Sequence, residues 1–228
     1  MINLVELSEK IFIKDKRSIS KAITIIESEE KNAIDLLKLI HNKTGNAYKI
    51  GITGPPGAGK STLTNAITKF LLIQNKSVGI IAVDPTSPFT GGALLGDRVR
   101  MNEIGVNPKV FIRSMATRGS LGGLSKKTID ASEILDAAGF DFIIFETVGV
   151  GQSELDIAQT TDTTIVVLVP ESGDAVQAMK AGLMEIADFF VLNKSDRPGA
   201  EQAVTSLKTI LMMREHSENS WMPNIIKS

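Results

Sequence analysis

One run of eight residues has the types and spacing of a phosphate-binding loop. It reads Gly-Pro-Pro-Gly-Ala-Gly-Lys-Ser and fits G-x-x-x-x-G-K-[ST], with a strand candidate before it and a helix candidate after it. Glycines let backbone N–H groups turn inward around phosphate oxygens, and the helix adds its positive N-terminal end. The Lys60 ammonium is expected to reach the β- and γ-phosphates, and the Ser61 hydroxyl to bind Mg²⁺. The residues expected to contact the nucleotide here are Gly54, Pro55, Pro56, Gly57, Ala58, Gly59, Lys60, Ser61 and Thr62.

A second motif, Asn193-Lys194-Ser195-Asp196, fits N-K-x-D, the guanine-recognition motif of GTPases. Both carboxylate oxygens of Asp196 can accept hydrogen bonds from the N1–H and the exocyclic amine of guanine. Adenine has an acceptor at N1, so a site built on these hydrogen bonds rejects it. Lys194 is expected to lie along the base, and Asn193 to tie this loop to the phosphate-binding loop. The competing dinucleotide pattern G-x-G-x-x-G fails, because position 62 is Thr62 and not glycine.

Three acidic residues are candidates for a Mg²⁺ site. Glu146 ends an apolar run and Gly149 follows three positions later, which resembles the D-x-x-G motif with Glu in place of Asp. The carboxylate is expected to help hold Mg²⁺ or its water, and the Gly149 N–H to contact the γ-phosphate. Asp84 is a second candidate carboxylate, and Asp97 either closes over Mg²⁺ or caps a helix. Gln152 is a candidate for positioning the attacking water.

The elements that position these motifs alternate between strand and helix from Tyr48 onward. Short, near-continuous apolar runs are typical of parallel strands that are buried on both faces. The predicted strands are Tyr48–Thr53, Val78–Val83, Lys109–Arg113, Phe140–Phe145, Thr164–Val169 and Phe189–Asn193. The predicted helices include Lys60–Gln74, Lys126–Ala138, Asp174–Ile186 and Ala200–Met213. This alternation predicts an α/β fold with a doubly wound, mostly parallel sheet that binds ligands at the carboxyl ends of its strands.

Residues 1–45 are predicted to be an N-terminal helical extension of a nucleotide-binding domain that spans residues 46–228. Apolar residues recur there at spacings of three and four, as at Ile19, Ile23 and Ile26. The pattern predicts a pair of helices that pack on the main domain, with a partner-binding surface as the alternative.

Composition excludes several classes of function. The 228 residues carry a net charge of −1 and contain no cysteine, so disulfides and cysteine-based metal sites or nucleophiles are excluded. There is no basic footprint for nucleic acid, and no apolar run approaches the about 18 residues of a membrane span. We therefore expect a cytoplasmic protein without a nucleic-acid or membrane partner.

These motifs together resemble the methylmalonyl-CoA mutase-associated GTPase chaperones, the MeaB/ArgK group. The resemblance rests on the strings GPPGAGKST, VDPTSP, LLGDRVRM, FIRSMATRGSLGGLS, FETVGVGQSE and NKSD, and runs from about Arg17 to Ser228. It implies a Mg²⁺-dependent, GTP-hydrolysing switch that docks on a cobalamin-dependent acyl-CoA mutase. There the switch gates delivery of adenosylcobalamin, protects the mutase from inactivation and helps to eject damaged cofactor.

The resemblance also assigns roles to particular positions. It maps the Mg²⁺-site acids onto Asp84, Asp97 and Glu146 beside Ser61, makes Glu146 a candidate catalytic carboxylate, and places an additional switch within residues 170–180. Members of this family form homodimers and usually continue past the last residue of this chain. The final eight residues, 221–228, are therefore expected to form the strand before a last guanine-contacting loop, and that loop and the dimerisation arm are expected to be missing.

Three alternative functions stay open at this point. A nucleotide-dependent kinase, as in older descriptions of similar proteins as amino-acid transport kinases, would need an acceptor site and a base, and no dedicated motif for these is visible. A metallochaperone GTPase would need clusters of His and Cys, whereas this chain has two scattered histidines. A non-catalytic nucleotide-binding protein would bind without turnover. An arginine that contacts the phosphates would have to be Arg98, Arg113 or Arg118.

Overall fold

A parallel sheet of seven strands organises the part of the chain described by the computed structural model, which covers residues 3–84, 102–116, 126–147, 153–170, 182–213 and 221–228. The strands are β1 Tyr48–Thr53, β2 Val78–Asp84, β3 Val110–Ala116, β4 Phe142–Thr147, β5 Thr163–Leu168, β6 Phe189–Leu192 and β7 Asn224–Lys227. Their order is β3-β2-β4-β1-β5-β6-β7, and all neighbouring strands pair in parallel. The predicted α/β fold is confirmed, and the sheet is parallel throughout these residues.

Helices cover both faces of this sheet. They are α1 Leu4–Phe12, α2 Lys16–Glu27, α3 Ala33–Ile40, α4 Lys60–Ile73, α5 Asn102–Gly105, α6 Lys126–Ala137, α7 Ser153–Thr160, α8 Leu183–Ile186 and α9 Ala200–Met212, with a 3₁₀ turn over His41–Lys43. The predicted helix 174–186 falls largely outside the described residues, and its described end is α8. The sequence did not predict α5 or α7. None of the helices within the described ranges is long and apolar enough to cross a membrane.

The N-terminal segment forms three helices, so the prediction of a helical pair was wrong. Lys14 has a φ of +59°, which breaks the helical path after α1. The Asp15 carboxylate then accepts from the Ser18 N–H and caps the start of α2. The spacing at Ile19, Ile23 and Ile26 lies within α2, so α1 is the helix that the prediction missed, and this turn and N-cap separate it from α2.

The apolar faces of α1, α2 and α3 pack on the main sheet, as predicted. Their buried residues join those of α6 and one face of the sheet in a single hydrophobic cluster, in which Ile143 and Phe145 point from β4. Ile144, between them, belongs to a second cluster on the opposite face, under α4. Alternate residues of β4 are thus buried on both sides, as expected for a central parallel strand.

Strand order brings the predicted motifs to one edge of the sheet. β1 lies between β4 and β5, and the helices α4 and α7, which come next after β1 and β4, contribute to hydrophobic clusters on opposite faces of the sheet. Because all the strands are parallel, their carboxyl ends meet at the same edge, where such folds bind ligands. The loop after β1, the acidic end of β4 and the loop after β6 are all at that edge.

Candidate functional site

The loop between β1 and α4 has a backbone that only glycine adopts easily at three positions. The φ angles are +137° at Gly54, +77° at Gly57 and +95° at Gly59. A Cβ at Gly54 would lie 2.0 Å from the carbonyl oxygen of Val167 on β5. A Cβ at Gly59 would lie 2.2 Å from Nδ2 of Asn193. Close approach to β5 and to the loop after β6 therefore requires glycine at both ends of this loop.

Lys60 places its charge inside this loop. Its side chain is 7% exposed, and Nζ donates to the carbonyl oxygens of Gly54 at 2.8 Å and Pro55 at 2.9 Å. The residue is also the first of α4, a helix of 14 residues whose N-terminal end carries partial positive charge. A buried ammonium and a helix N-terminus at the same place favour a bound anion such as a phosphate.

Ser61 and Glu146 bring two oxygen ligands together beside this loop. The Ser61 hydroxyl donates to Oε1 of Glu146 at 2.5 Å, and Glu146 is 4% exposed. Ser61 lies in the first turn of α4, and Glu146 lies opposite Ile52 in the register of β1 and β4. Hydroxyl and carboxylate oxygens are ligands that Mg²⁺ prefers, so the residues present fit this ion.

The other predicted members of the Mg²⁺ and phosphate site are only partly visible. Asp84 is the last residue of β2, at the same sheet edge as Glu146, but its side chain lies outside the described residues. Asp97, Gly149 and Gln152 also lie outside them. Within the described ranges, no three His, Asp or Glu side chains are grouped to hold a metal ion. The roles of these four residues stay predictions.

The loop after β6 is bound to the phosphate-binding loop by two side chains. Asn193 donates from Nδ2 to the carbonyl oxygen of Ala58 at 2.8 Å, which confirms the predicted tie between the loops. Lys194, with a φ of +58°, donates from Nζ to the carbonyl oxygen of Gly57 at 2.8 Å. Its side chain therefore spans the space between the two loops. The side chain of Asp196 is exposed, so its carboxylate is accessible to a ligand.

Of the three candidate arginines, only Arg113 is described. Its guanidinium pairs with the carboxylate of Glu27 and donates to the Thr24 hydroxyl at 3.2 Å, both on α2. β3 lies at one end of the described strand order, separated from β1 by two strands. Arg113 thus holds the N-terminal helices on the sheet, and the structure does not bring it to the phosphate-binding loop.

A buried pair of hydroxyls beside the motifs was missed in the sequence. Thr147 donates from Oγ1 to Oγ1 of Thr53 at 2.9 Å, between the ends of β4 and β1. The only signal in the sequence is that each apolar strand ends in a threonine next to a motif residue. Which strands are neighbours, and hence which threonines meet, is not visible there.

Known proteins resemble this chain over most of its length. Residues 19–228 match the family described as methylmalonyl Co-A mutase-associated GTPase MeaB. A Pyrococcus horikoshii protein whose name assigns it to the GTPases is 55% identical, over 98% of this chain and 71% of its own length. GTPase ArgK of Escherichia coli K12 is 36% identical, over 99% of this chain and 71% of its own. The mouse methylmalonic aciduria type A homolog, a mitochondrial protein, is 34% identical, over 94% of this chain and 56% of its own length.

Solved structures agree with the sheet described above. A crystal structure of LAO/AO transport system kinase superimposes with a TM-score of 0.79 at 29% sequence identity. The superposition covers 100% of this chain and 70% of the kinase chain. HypB from Helicobacter pylori, in complex with nickel, has a TM-score of 0.57 at 16% identity, over 90% of this chain and 86% of its own. The second likeness supports the fold alone.

Proposed function

This chain belongs to the MeaB family of P-loop GTPases, and from that premise we propose that it is a Mg²⁺-dependent switch whose GTP hydrolysis serves a cobalamin-dependent mutase of the methylmalonyl-CoA type. It acts on this mutase as a chaperone and gatekeeper. The observation that carries the proposal is the meeting of Ser61 and Glu146 beside Lys60, in a loop that Asn193 ties to the guanine motif. The mutase is part of the proposal because the matching family is described as mutase-associated.

Each described residue has a distinct task in this proposal. The Lys60 ammonium exchanges its two loop carbonyls for β- and γ-phosphate oxygens, which keeps a cation next to the charge that develops during transfer. Ser61 and Glu146 would hold Mg²⁺, which would supply further charge stabilisation to the transferred phosphoryl group. The exposed Asp196 carboxylate accepts from guanine. Glu146 and Gln152 are the candidates for orienting the attacking water.

Base selection is the first test. We expect calorimetric titration with Mg²⁺ present to show GDP binding at least about 100-fold tighter than ADP binding. Asp196→Asn replaces an acceptor by a donor and should transfer preference from GDP to xanthosine diphosphate, whose base has an oxygen where guanine has its amine. Asp35→Asn, at an exposed position on α3, is the matched control and should keep the GDP preference. Equal affinity for GDP and ADP would contradict the guanine assignment.

Turnover and partner are tested separately. With GTP labelled on the γ-phosphate, the label should appear in inorganic phosphate, and transfer to any other acceptor would support a kinase instead. Binding of a purified methylmalonyl-CoA mutase should differ in affinity between the GDP form and a form with a non-hydrolysable GTP analogue, because a switch must have differential affinity. Identical affinity in both forms would remove the switch from the proposal.

A further inference from the structure

Two threonine hydroxyls meet in the buried sheet directly below the phosphate-binding loop. Thr147 donates to Thr53 at 2.9 Å between their Oγ1 atoms, and neither residue is more than 1% exposed. Thr53 is the last residue of β1 and precedes Gly54, whereas Thr147 is the last residue of β4 and follows Glu146. The pair therefore joins the two strand ends from which the loop and the acidic side chain leave the sheet.

This hydrogen bond lies where the backbone pairing of β1 with β4 ends. The last partners in the register of the two strands are Ile52 and Glu146, one residue before the threonines. Beyond that point the hydroxyl pair connects the two strand ends. Because a hydrogen bond restricts both distance and angle, it limits how far these ends move apart.

Packing alone does not explain two hydroxyls at this place. Ile52, next to Thr53, and Phe145, two positions before Thr147, are buried and apolar, and valine has nearly the volume of threonine. Exchanging both partners of a buried hydrogen bond for apolar groups of the same shape is close to neutral for stability. What the hydroxyl pair adds is orientation of the strand ends. Glu146 is the residue before Thr147, and its carboxylate, which accepts from Ser61, depends on that orientation.

We propose that Thr53 and Thr147 are positioning residues, whose hydrogen bond keeps the Glu146 carboxylate in register with the Ser61 hydroxyl and so sets the affinity of the site for Mg²⁺. This inference rests on the proposed function only in assigning Mg²⁺ to Ser61 and Glu146. Groups that hydrogen-bond directly to metal ligands change metal affinity by about 10–100-fold when they are removed, and a pair that acts through the neighbouring backbone is expected at the lower end of that range.

The test compares Thr147→Val with a conservative and a matched variant. Thr147→Ser keeps the hydroxyl. Thr164→Val removes another buried hydroxyl, one that shares a 3.2 Å hydrogen bond with Thr161 near the amino end of β5, far from the loop. The affinity of a fluorescent GDP analogue is measured over a range of Mg²⁺ concentrations and in EDTA. If Thr147→Val fails to fold, Thr53→Val is measured instead. It removes the same hydrogen bond from the other side and leaves the hydroxyl of Thr147 in place.

We expect Thr147→Val to raise the Mg²⁺ concentration needed for half of the affinity gain by about 10-fold, while affinity in EDTA changes by less than about twofold. Thr147→Ser and Thr164→Val should both behave like the unchanged protein. An unchanged Mg²⁺ dependence in Thr147→Val, or an equal shift in Thr164→Val, would overturn the inference, because the second result would indicate a general loss of stability.

A second readout does not depend on nucleotide binding. If the unchanged protein binds no GDP, the proposed function fails, and crystal structures of the nucleotide-free protein and of Thr147→Val then decide on the threonines. Separation of Ser61 Oγ from the Glu146 carboxylate in the variant would support the positioning role. A hydrogen bond between them that persists at 2.5 Å would refute it.

Discussion

Comparing Gly59→Ala with Gly57→Ala separates two contributions to the free energy of unfolding, left-handed backbone strain and a steric clash with Asn193. Gly59 has a φ of +95°, and a Cβ there would lie 2.2 Å from Nδ2 of Asn193. Gly57 has a φ of +77°, but a Cβ there would meet no other heavy atom of the described residues within 4 Å. Both alanine variants therefore carry left-handed backbone strain, whereas only Gly59→Ala must displace the amide that donates to Ala58.

The two costs have different sizes. Left-handed strain costs about 1–2 kcal/mol for a residue with a Cβ, and the hydrogen bond from Asn193 to Ala58 contributes about 1 kcal/mol. We expect Gly57→Ala to lower the free energy of unfolding by about 1–2 kcal/mol and Gly59→Ala by about 2–3 kcal/mol. The entropy that alanine removes from the unfolded chain is common to both and cancels in the comparison. In an Asn193→Ala background, the cost of Gly59→Ala should fall by about 1 kcal/mol.

Urea unfolding of the nucleotide-free protein measures these differences without any assumption about the ligand. The comparison needs the unchanged protein, Gly57→Ala, Gly59→Ala, Asn193→Ala and the Gly59→Ala/Asn193→Ala double variant, with equal m-values to show that the unfolded states are alike. Equal destabilisation by the two glycine variants would refute the clash, and so would a cost of Gly59→Ala that is the same with and without Asn193.

Three further outcomes are expected. Lys60→Ala should abolish GTP hydrolysis in a phosphate-release assay, and turnover at the level of Lys69→Ala, an exposed lysine on the same helix, would contradict the mechanism. Asp136 is 1% exposed and accepts from three backbone N–H groups in the loop before β1, so Asp136→Ala should cost about 3 kcal/mol in urea unfolding, and a cost below about 1 kcal/mol would show that water replaces it. Burial acts to raise the pKa of Asp141, but hydrogen bonds from Ser77 lower it on balance from the ordinary 3.8. The contribution of Asp141 to stability is therefore present above pH 3.8 and is lost as pH falls through the lowered pKa. Asp141→Asn should flatten the acid side of the plot of unfolding free energy against pH. An unchanged plot would contradict this prediction.

Local chemistry explains which parts of the fold could be predicted. β1 was predicted with both of its ends because a run of apolar residues stops at a glycine that the loop requires. The start of β4 was predicted two residues early, at Phe140 instead of Phe142. Asp141 accepts from the backbone and hydroxyl of Ser77 and lies at a bend before the strand begins. That contact joins residues 64 positions apart and leaves no mark on the local pattern.

The helix α7 is a second element that the local sequence pattern does not predict. Its eight residues contain few apolar positions, so periodicity does not identify it. It is held by tertiary packing: Ile157 is fully buried, and a Cβ at Gly51 of β1 would lie 2.9 Å from its Cγ1. A short helix of this kind is stabilised by the surface it packs on, and the sequence does not show which surface that is.

At the candidate site, the motif residues were predictable because each motif is contiguous, whereas the contacts between motifs depend on strand order. The place of Lys194 along a base stays a prediction, whereas the hydrogen bond from its Nζ to the Gly57 carbonyl was not predicted. The hydroxyl pair of Thr53 and Thr147 was not expected at all. Both contacts exist because β1 lies between β4 and β5 and one strand away from β6, an arrangement that follows from the whole sheet and not from any one segment.

These cross-loop contacts explain how the phosphate-binding loop is shaped before a ligand arrives. The carbonyls of Gly57 and Ala58 accept from the guanine-motif side chains. In a planar trans peptide, the carbonyl and the N–H that follows it point in opposite directions. The contact to the Ala58 carbonyl therefore turns the N–H of Gly59 away from the guanine loop. A loop oriented in this way loses little conformational entropy when phosphate binds, so we expect Asn193 and Lys194 to contribute to phosphate affinity in addition to the predicted choice of base.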